Sequence, residues 1–259
     1  MGATKVSLKL VPLRVPADVA ALHSLGFVRR LVRGRHPSLL EVGCGDGRLA
    51  FTLAAAGFRV TAIDTDSRGV ARAARRGVSA ICADFLGWSN GEFDVILFSR
   101  SLHHIRPLRE AVRLAADLLA PGGRLLVEDF AVDGLDQATA AWRYASEGLL
   151  QAAGLLHGTA APGAALRPLP RWRREHRGVP GEAVLRRALS RHFAIQEEAV
   201  PYLYRYAIER LRPGARSVRL AQALLRSEEA LVRAGTIRPV GRRWLATRQG
   251  AADSREKLQ

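Results

Sequence analysis

The sequence predicts an α/β fold with a mostly parallel β-sheet that is doubly wound, meaning that helices cover both of its faces. Three observations predict this class. Five short apolar runs alternate with helical segments between residues 38 and 130. The first run leads into a glycine-rich loop. Polar residues follow the carboxyl end of each run, where parallel sheets bind their ligands.

The glycine loop follows the first predicted strand. Residues 41–47 read Glu-Val-Gly-Cys-Gly-Asp-Gly, with glycine at the alternate positions Gly43, Gly45 and Gly47. Glycine tolerates positive φ and has no side chain, so a ligand can approach the backbone closely. The dinucleotide fingerprint G-x-G-x-x-G would need glycine at position 48, where this chain has Arg48. The loop therefore favours a nucleoside-type ligand that is not gripped through a pyrophosphate.

The next elements place a carboxylate beside that loop. Residues 49–56 are apolar and alanine-rich, which predicts a helix capped by Gly57. Residues 58–66 form a β-branched run in which Asp64 lies 21 positions after Gly43. At about this spacing, α/β nucleoside sites place an acidic residue on the ribose hydroxyls.

Three further strands complete the first half. Residues 78–85 predict a third strand that ends at Asp84 and Phe85. Residues 93–104 predict a fourth strand running into a polar, histidine-bearing turn. Residues 118–129 end a helix, turn on Pro-Gly-Gly and begin a fifth strand, which stops at Asp129.

In its order and spacing, this run resembles the class I S-adenosylmethionine-dependent methyltransferases over residues 38–130. The matching segments are Glu-Val-Gly-Cys-Gly-Asp-Gly at 41–47, Ile-Asp at 63–64, Ala-Asp-Phe at 83–85, Phe-Asp-Val-Ile at 93–96 and Pro-Gly-Gly at 121–123. The resemblance implies a seven-stranded Rossmann-like methyltransferase fold, with S-adenosylmethionine as the cofactor and additions that cover the substrate.

The resemblance also implies a cofactor site. Glu41 would shape the loop or reach the amino group of the methionine moiety, and Ser99 would border that moiety. Asp64 would bind the ribose hydroxyls, Asp84 the adenine amino group and Phe85 a face of the ring. The expected cofactor-binding residues are Glu41, Gly43, Cys44, Gly45, Gly47, Asp64, Thr65, Asp84, Phe85 and Ser99.

The second half departs from the alternation of strands and helices. The sequence predicts helices over 135–156, 181–191 and 217–234, a loop over 160–170, and strands over 193–206 and 241–248. By resemblance, the two strands form an antiparallel edge pair of the seven-stranded sheet. On the longer strand, Tyr202, Tyr204 and Tyr206 would share one face. The expected divisions are an N-terminal helical segment over 1–37, a cofactor-binding core over 38–130, substrate-covering insertions with the last two strands over 131–248, and a tail over 249–259.

Methyl transfer to a hydroxyl or a protonated amine requires a base, and histidine is suited to this near neutral pH. The sequence offers His104, just past strand four, and His176, which Glu175 would orient. Alternation along the turn points His103 elsewhere. Asp129 would hydrogen-bond the substrate. For each histidine, a packed or solvated side chain is the alternative interpretation.

The positive charge is concentrated in the second half. Residues 1–166 carry 19 basic and 15 acidic side chains, whereas residues 167–248 carry 19 and 7. Such a surface attracts anionic partners. The leading hypothesis is methyl transfer to an O, N or C atom of a small, possibly anionic metabolite. RNA methylation is the second, but Ser-Arg-Ser at 99–101 replaces the Asn-Pro-Pro-Tyr type of base-flipping motif. The third is a catalytically silent cofactor-binding subunit.

The sequence also bears on membrane attachment, cellular location and metal binding. No apolar run reaches the roughly 18 residues of a membrane span. Residues 1–15 lack the unbroken apolar core of a signal peptide, so a cytoplasmic location without membrane attachment is expected. Cys44 and Cys82 match neither a zinc spacing nor a disulfide framework, so no metal site is predicted. The oligomeric state stays open.

Overall fold

The computed structural model describes residues 13–158 and 167–248. Seven strands form one sheet in the order β3-β2-β1-β4-β5-β7-β6. The strands are β1 (Ser38–Val42), β2 (Arg59–Asp64), β3 (Ala80–Cys82), β4 (Phe93–Ser99), β5 (Leu119–Phe130), β6 (Phe193–Val200) and β7 (Gly241–Arg248). The first five strands pair in parallel, and β7 runs antiparallel between β5 and β6. The predicted fold class is confirmed, including the antiparallel edge pair.

Helices cover both faces of this sheet. They are α1 (Pro16–Leu31), α2 (Arg48–Ala55), α3 (Ser67–Arg75), α4 (Leu108–Leu118), α5 (Gln137–Ala152), α6 (Pro168–Glu175), α7 (Glu182–Leu189), α8 (Tyr204–Ile208) and α9 (Ala215–Arg233). Successive residues of a strand point to opposite faces. Leu40 and Ile96 accordingly belong to one apolar cluster, and Leu39 and Val95 to another. Because both faces are buried, the central strands read as continuous apolar runs.

Local sequence signals explain several element boundaries. The Asp66 carboxylate caps α3 by accepting the Gly69 amide at 3.0 Å, and Asp136 caps α5 by accepting the Thr139 amide at 2.8 Å. The Pro-Gly-Gly segment lies inside β5, where the pairing with β4 shifts from Phe93–Leu119 to Val95–Arg124. The turn predicted there is thus an irregularity within one strand rather than a connection between two elements.

The prediction of a strand over 193–206 is wrong in its second half. Strand β6 ends at Val200, because Pro201 has no amide with which to continue the ladder. The next three amides, of Tyr202, Leu203 and Tyr204, donate to the buried Glu228 carboxylate at 2.7–2.9 Å. The chain then turns into α8.

The three tyrosines therefore do not share a face. Tyr202 and Tyr206 pack around Phe130, while Tyr204 packs in a separate cluster and its hydroxyl lies 2.9 Å from His23 Nδ1. Tyr204 and Tyr206 lie in α8 and Tyr202 precedes it, so strand alternation does not apply to these residues.

Two other boundaries differ from the predictions. Strand β3 is short, so Asp84 and Phe85 lie beyond its end rather than within it. The predicted loop over 160–170 falls partly outside the described residues, and its last three positions begin helix α6 with proline in the first turn. Of the expected terminal segments, residues 1–12 and 249–259 also lie outside the described ranges. Within those ranges, no helix combines the length and apolarity needed to cross a bilayer.

Candidate functional site

The three glycines of the loop play different structural parts. All three have positive φ, of 78° at Gly43, 55° at Gly45 and 73° at Gly47. A Cβ on Gly43 would lie 2.4 Å from Ser101 Cβ, and one on Gly47 would lie 2.4 Å from Ala73 Cβ. A Cβ on Gly45 would meet no atom within 4 Å. The outer glycines therefore allow close packing, and the middle one leaves space for a ligand.

Asp64 fixes the open part of this loop. Its Oδ2 accepts the Gly45 amide at 2.7 Å, and its Oδ1 accepts the Asp66 amide at 2.8 Å. Each carboxylate oxygen carries two lone pairs, so both oxygens keep the capacity to accept a further hydrogen bond. The side chain faces a cavity, so this capacity is open to a ligand.

Two cavities lie at the carboxyl ends of the strands, one on each side of the glycine loop. The β3-side cavity has a volume of about 400 Å³ and is lined by Val42, Gly43, Ile63, Asp64, Thr65, Ala83, Asp84, Phe85, Arg100, Ser101, His104 and Ile105. The α1-side cavity has a volume of about 350 Å³ and is lined by Ala17, Ala20, Ala21, Ser24, Glu41, Gly43, Cys44, Gly45, Asp46, Arg48, Leu49, Ser99, Arg100, Arg205, Ile208 and Glu209. Gly43 and Arg100 line both. The two cavities therefore meet at the end of the glycine loop.

The structure brings the predicted cofactor residues to these cavities with one exception. Glu41, Cys44, Gly45 and Ser99 line the α1-side cavity; Asp64, Thr65, Asp84 and Phe85 line the β3-side cavity; and Gly43 lines both. Gly47 lines neither and packs on Ala73 instead. Their roles in binding stay predictions.

The α1-side cavity contains a buried acid. Glu41 is 2% exposed, and its Oε2 has no hydrogen-bond partner within the described residues. Burial, followed by the nearby charges of Asp46 and Asp64, raises the pKa of the Glu41 carboxyl from its usual 4.5 to about 8. Burial also raises the pKa of the adjacent Cys44 thiol to about 12, so this cysteine is neutral near pH 7.

A buried ionic cluster borders the same cavity. Glu128 on β5 accepts hydrogen bonds from Arg243 on β7, at 2.7 and 2.9 Å, and forms an ion pair with Arg205 on α8 at 3.0 Å. The hydroxyls of Ser24 and Ser99 also donate to Glu128 Oε2, at 2.5 and 3.2 Å. The two guanidinium groups hold the pKa of the Glu128 carboxyl well below its usual range, against the effect of burial.

Arg100 lies at the junction of the two cavities. Its backbone has φ of 60°, which is uncommon for a residue with a side chain, and its amide donates to the Glu128 carbonyl at 2.7 Å. Its guanidinium pairs with the Glu209 carboxylate, just past α8. Backbone strain of this kind is concentrated at functional sites. The ion pair between Arg100 and Glu209 connects the end of β4 to the segment between β6 and β7.

A histidine and an aspartate form a buried pair near the carboxyl ends of β4 and β5. His103 Nδ1 lies 2.8 Å from Asp129 Oδ1, and Asp129 is fully buried. The second carboxylate oxygen of Asp129 has no hydrogen-bond partner among the described residues. His103 lines neither of the two cavities, and its side chain contacts the acidic end of β5. The residues between β4 and α4 form a 3₁₀ turn, to which strand alternation does not apply.

His104 and His176, the two histidines predicted as bases, line different cavities. His104 lines the β3-side cavity and stacks against His103, with ring centroids 3.9 Å apart. His176 stacks on Trp172 and its Nε2 lies 2.9 Å from the Tyr206 hydroxyl. Burial lowers the pKa of both imidazoles, so both are mainly neutral near pH 7. His176 borders a separate cavity of about 250 Å³ between α6 and the end of β5.

Comparison with known protein families identifies the family to which this chain belongs. A family model described as a methyltransferase domain matches residues 20–155, just over half of the chain. The chain belongs to this family. It is a class I S-adenosylmethionine-dependent methyltransferase, and S-adenosylmethionine is its cofactor.

Individual relatives of this chain are also named methyltransferases. A ubiquinone biosynthesis O-methyltransferase from Caulobacter sp. (strain K31) is 33% identical over 136 residues, which cover 46% of this chain and 54% of that protein. An uncharacterized methyltransferase from Mycobacterium bovis is 38% identical over 103 residues, which cover 38% and 52%. The chain spans about half the length of the curated relatives that it matches.

A solved structure supports the fold over nearly the whole methyltransferase. The plantazolicin methyltransferase BpumL, in complex with a pentazolic desmethylPZN analog and SAH, superposes with a TM-score of 0.53. The alignment covers 93% of this chain and 87% of that one, with 12% sequence identity. At this identity the similarity establishes the fold alone.

Asp129 was singled out from the sequence, but no sequence signal pointed to its contact with His103 or to the position of Arg205. His103 and Asp129 are 26 positions apart on different elements, and only the sheet order brings them together. Arg205 falls within the wrongly predicted strand. The actual signal for its position was Pro201, which ends β6 before the helix that carries Arg205.

Proposed function

We propose that this methyltransferase binds S-adenosylmethionine across its two adjoining cavities and transfers the methyl group to a hydroxyl oxygen of a small molecule. The observation that carries the proposal is the meeting of the two cavities at Gly43 and Arg100. A cofactor placed there has its adenosine on one side of the glycine loop and its methionine moiety on the other. Its sulfonium methyl then lies near the junction.

The β3-side cavity fits the adenosine. The remaining lone pairs of Asp64 suit the two ribose hydroxyls, because a carboxylate can accept from both together. Asp84 Oδ1 accepts the Leu86 amide at 3.1 Å, which leaves the other oxygen for the adenine amino group. Phe85 lines the cavity and is held edge-on by Phe98, with ring centroids 5.2 Å apart.

The α1-side cavity fits the methionine moiety. The open Gly45 position lets the ligand approach the loop backbone, as its empty Cβ space indicates. Glu41 offers a carboxyl oxygen without a partner to the α-amino group. In its charged form this carboxylate also stabilises a sulfonium cation electrostatically. Ser99 borders the same space.

We assign the base that a hydroxyl acceptor requires to the His103–Asp129 pair, because His103 stacks on His104, which lines the β3-side cavity. With Asp129 accepting the Nδ1 proton, the imidazole carries its free lone pair on Nε2. His103 then takes the hydroxyl proton as the oxygen attacks the methyl carbon, and Asp129 acts as a positioning residue that stabilises the imidazolium. The name of the Caulobacter relative specifies an O-methyltransferase, which supports oxygen as the accepting atom.

Some of the basic residues of the second half are not available to bind RNA. Arg205 and Arg243 are buried on Glu128, and Arg242 pairs with Glu182 and Glu197. These arginines stabilise the fold and are not part of a surface for a polyanion. Arg100, half-buried at the junction, pairs with Glu209 and is likewise not part of such a surface.

The experiment measures methyl transfer and cofactor binding separately. Wild type, His103→Gln and Asp129→Asn are incubated with methyl-labelled cofactor and a fractionated metabolite extract, beside an RNA fraction. We expect label in a small molecule and a loss of about 100-fold or more in both variants, the typical contribution of a positioned base. Calorimetry with S-adenosylhomocysteine is expected to show affinities within threefold of wild type.

His176→Gln serves as the matched control, because this histidine is bonded to Tyr206 and lies at a different cavity. An unchanged transfer rate in His103→Gln contradicts the assignment of the base. Label in RNA alone contradicts the substrate class. Cofactor binding without transfer to either fraction supports a silent binding subunit instead.

A further inference from the structure

A third cavity lies at the amino ends of the central strands, at the edge of the sheet opposite to the glycine loop. This amino-end cavity has a volume of about 430 Å³. Its lining consists of residues 32–37 between α1 and β1, Arg59 at the start of β2, Asp94 near the start of β4, and residues 121–124 of β5. Arg124 is level with the start of β4, because it pairs with Val95.

Most of the positive charge in the amino-end cavity is uncompensated. Asp94 is the one acid that lines it, and it is charged at pH 7, because hydrogen bonds from the Ser38 amide and hydroxyl, with a smaller contribution from Arg59, lower the pKa of its carboxyl. Within the described part of the chain, no ion pair is formed by any of the arginines that line the cavity, which are Arg33, Arg35, Arg59 and Arg124. Four cations and one anion leave a net charge of +3.

This concentration of arginine is local. Residues 1–166 carry 19 basic and 15 acidic side chains, so the part of the chain that supplies the cavity is nearly balanced in charge. Glu92, two positions before Asp94, does not line the cavity. The buried arginines of the second half, in contrast, pair with carboxylates, as Arg205 and Arg243 do with Glu128. An anion from solution is therefore the partner that the amino-end cavity lacks.

Hydrogen bonds hold one wall of the amino-end cavity in place. The His36 carbonyl accepts from Arg59 Nε at 3.0 Å, and the Pro37 carbonyl accepts from the Arg59 amide at 3.0 Å. His36 Nδ1 lies 3.1 Å from the Gly57 carbonyl oxygen. The backbone of His36 has φ of 58°, a conformation that residues with side chains seldom adopt. The turn after α1 is thus fixed to the start of β2, and the Arg59 guanidinium is held at the cavity wall.

We infer that the amino-end cavity binds the triphosphate group of a small molecule. Arginine binds phosphate oxygens through paired N–H groups, and each phosphate carries negative charge, so a triphosphate matches the net charge of +3. The volume lies in the range of small-molecule sites. The lining contains no aromatic ring apart from the His36 imidazole, whereas single-stranded RNA is bound by stacking its bases on aromatic side chains.

The amino-end cavity is separate from the cofactor site. Strands β1 and β4 run from it to the glycine loop and Arg100, and they contain five and seven residues. At about 3.3 Å per residue, roughly 13–20 Å separate the two ends. Both sites can therefore be occupied together, and this inference does not depend on the proposed function.

Calorimetry with inorganic tripolyphosphate in metal-free buffer tests the inference. The protein is first saturated with S-adenosylhomocysteine, so that the cofactor site is occupied. We expect wild type to bind tripolyphosphate with a dissociation constant below about 1 mM. The double variant Arg35→Gln with Arg124→Gln removes one cation from each of two walls. It should bind at least about 10-fold more weakly, the loss expected for one charged hydrogen bond.

Arg187→Gln with Arg191→Gln is the matched control. It removes the same two charges from another surface cavity, which Arg109 and Glu110 also line. Its affinity should stay within about threefold of wild type, because salt screens distant charges. If the first double variant fails to fold, Arg33→Gln with Arg35→Gln replaces it, since both side chains are exposed. The same loss of at least about 10-fold is expected.

Three results would overturn the inference. The first is a wild-type dissociation constant above about 1 mM. The second is an equal loss of affinity in the cavity variant and the control, which would reduce binding to an effect of overall charge. The third is tighter binding of a single-stranded RNA oligonucleotide than of tripolyphosphate, with a loss in the cavity variant, which would make the cavity part of a nucleic-acid surface.

A titration with guanosine triphosphate identifies the source of the triphosphate. Affinity equal to or tighter than that of tripolyphosphate, with the same loss in the cavity variant, supports a nucleotide as the ligand. Weaker binding than tripolyphosphate supports free polyphosphate.

Discussion

Replacing Glu41 with glutamine should raise stability and lower cofactor affinity. The Glu41 carboxyl has a pKa of about 8 in the folded chain and 4.5 ordinarily. Between these pH values the folded protein holds a proton that the unfolded chain releases, so stability falls as pH rises. At about 1.4 kcal/mol for each tenfold change, the decrease is on the order of 3 kcal/mol at pH 7 and 5 kcal/mol at pH 8. Glutamine does not titrate, so Glu41→Gln avoids this decrease.

The assay is urea unfolding of wild type and Glu41→Gln at pH 5, 6, 7 and 8. We expect similar stabilities at pH 5 and an advantage of the variant that grows to about 3 kcal/mol at pH 7. Glu198→Gln removes an exposed carboxyl of the same charge and controls for the change in net charge. An advantage that does not change with pH would refute the reasoning, because burial of a titrating acid requires the difference to grow.

The same substitution should weaken cofactor binding although it raises stability. If Glu41 faces the ammonium group of the cofactor, binding at pH 7 displaces the proton from its carboxyl. Calorimetry in buffers of different ionisation enthalpy should then show release of close to one proton per S-adenosylhomocysteine in wild type. Glu41→Gln should release none and bind about 10-fold more weakly. Equal affinity and equal proton release would place the amino group elsewhere.

Three other substitutions test the loop and the insertion. Gly45→Arg should keep the fold, because nothing lies within 4 Å of its Cβ, but abolish cofactor binding; measurable binding by calorimetry would refute this. Gly47→Ala should destabilise by about 1–3 kcal/mol in urea unfolding, because its Cβ would lie 2.4 Å from Ala73 Cβ; wild-type stability would contradict the close packing. Glu228→Gln should also cost about 1–3 kcal/mol, since one amide oxygen cannot replace two carboxylate oxygens on three backbone amides; a change below 0.5 kcal/mol would argue against this anchor.

The parallel half of the fold could be predicted because each strand carries its signals locally. The first two apolar runs, the loop glycines and Asp64, for example, all lie within residues 38–64. The end of β6 was misjudged for a different reason. Tyrosine alternation over 202–206 satisfies a strand pattern, but the amides there bind Glu228, which lies more than 20 positions later. Such a long-range partner leaves no mark on the local pattern.

The same distinction applies to the candidate site. Cofactor residues that follow strands β1 to β4 could be placed from their position at the strand ends, since parallel strands bring those ends together. His103 was missed because a 3₁₀ turn, rather than an extended segment, follows β4. Arg205 was missed because its partners Ser24 and Glu128 come from distant parts of the chain and meet it only after folding.

The buried Glu128 cluster has a consequence for the order of folding. Glu128 lies on β5, but both of its cationic partners come from the last quarter of the chain, 77 and 115 positions later. An isolated carboxylate in the sheet interior is strongly disfavoured, so β5 cannot settle into its native environment before β7 and α8 arrive. Emergence of residues 38–130 from the ribosome therefore leaves an incomplete sheet, and β5 reaches its native environment only after α8 and β7 have been synthesised.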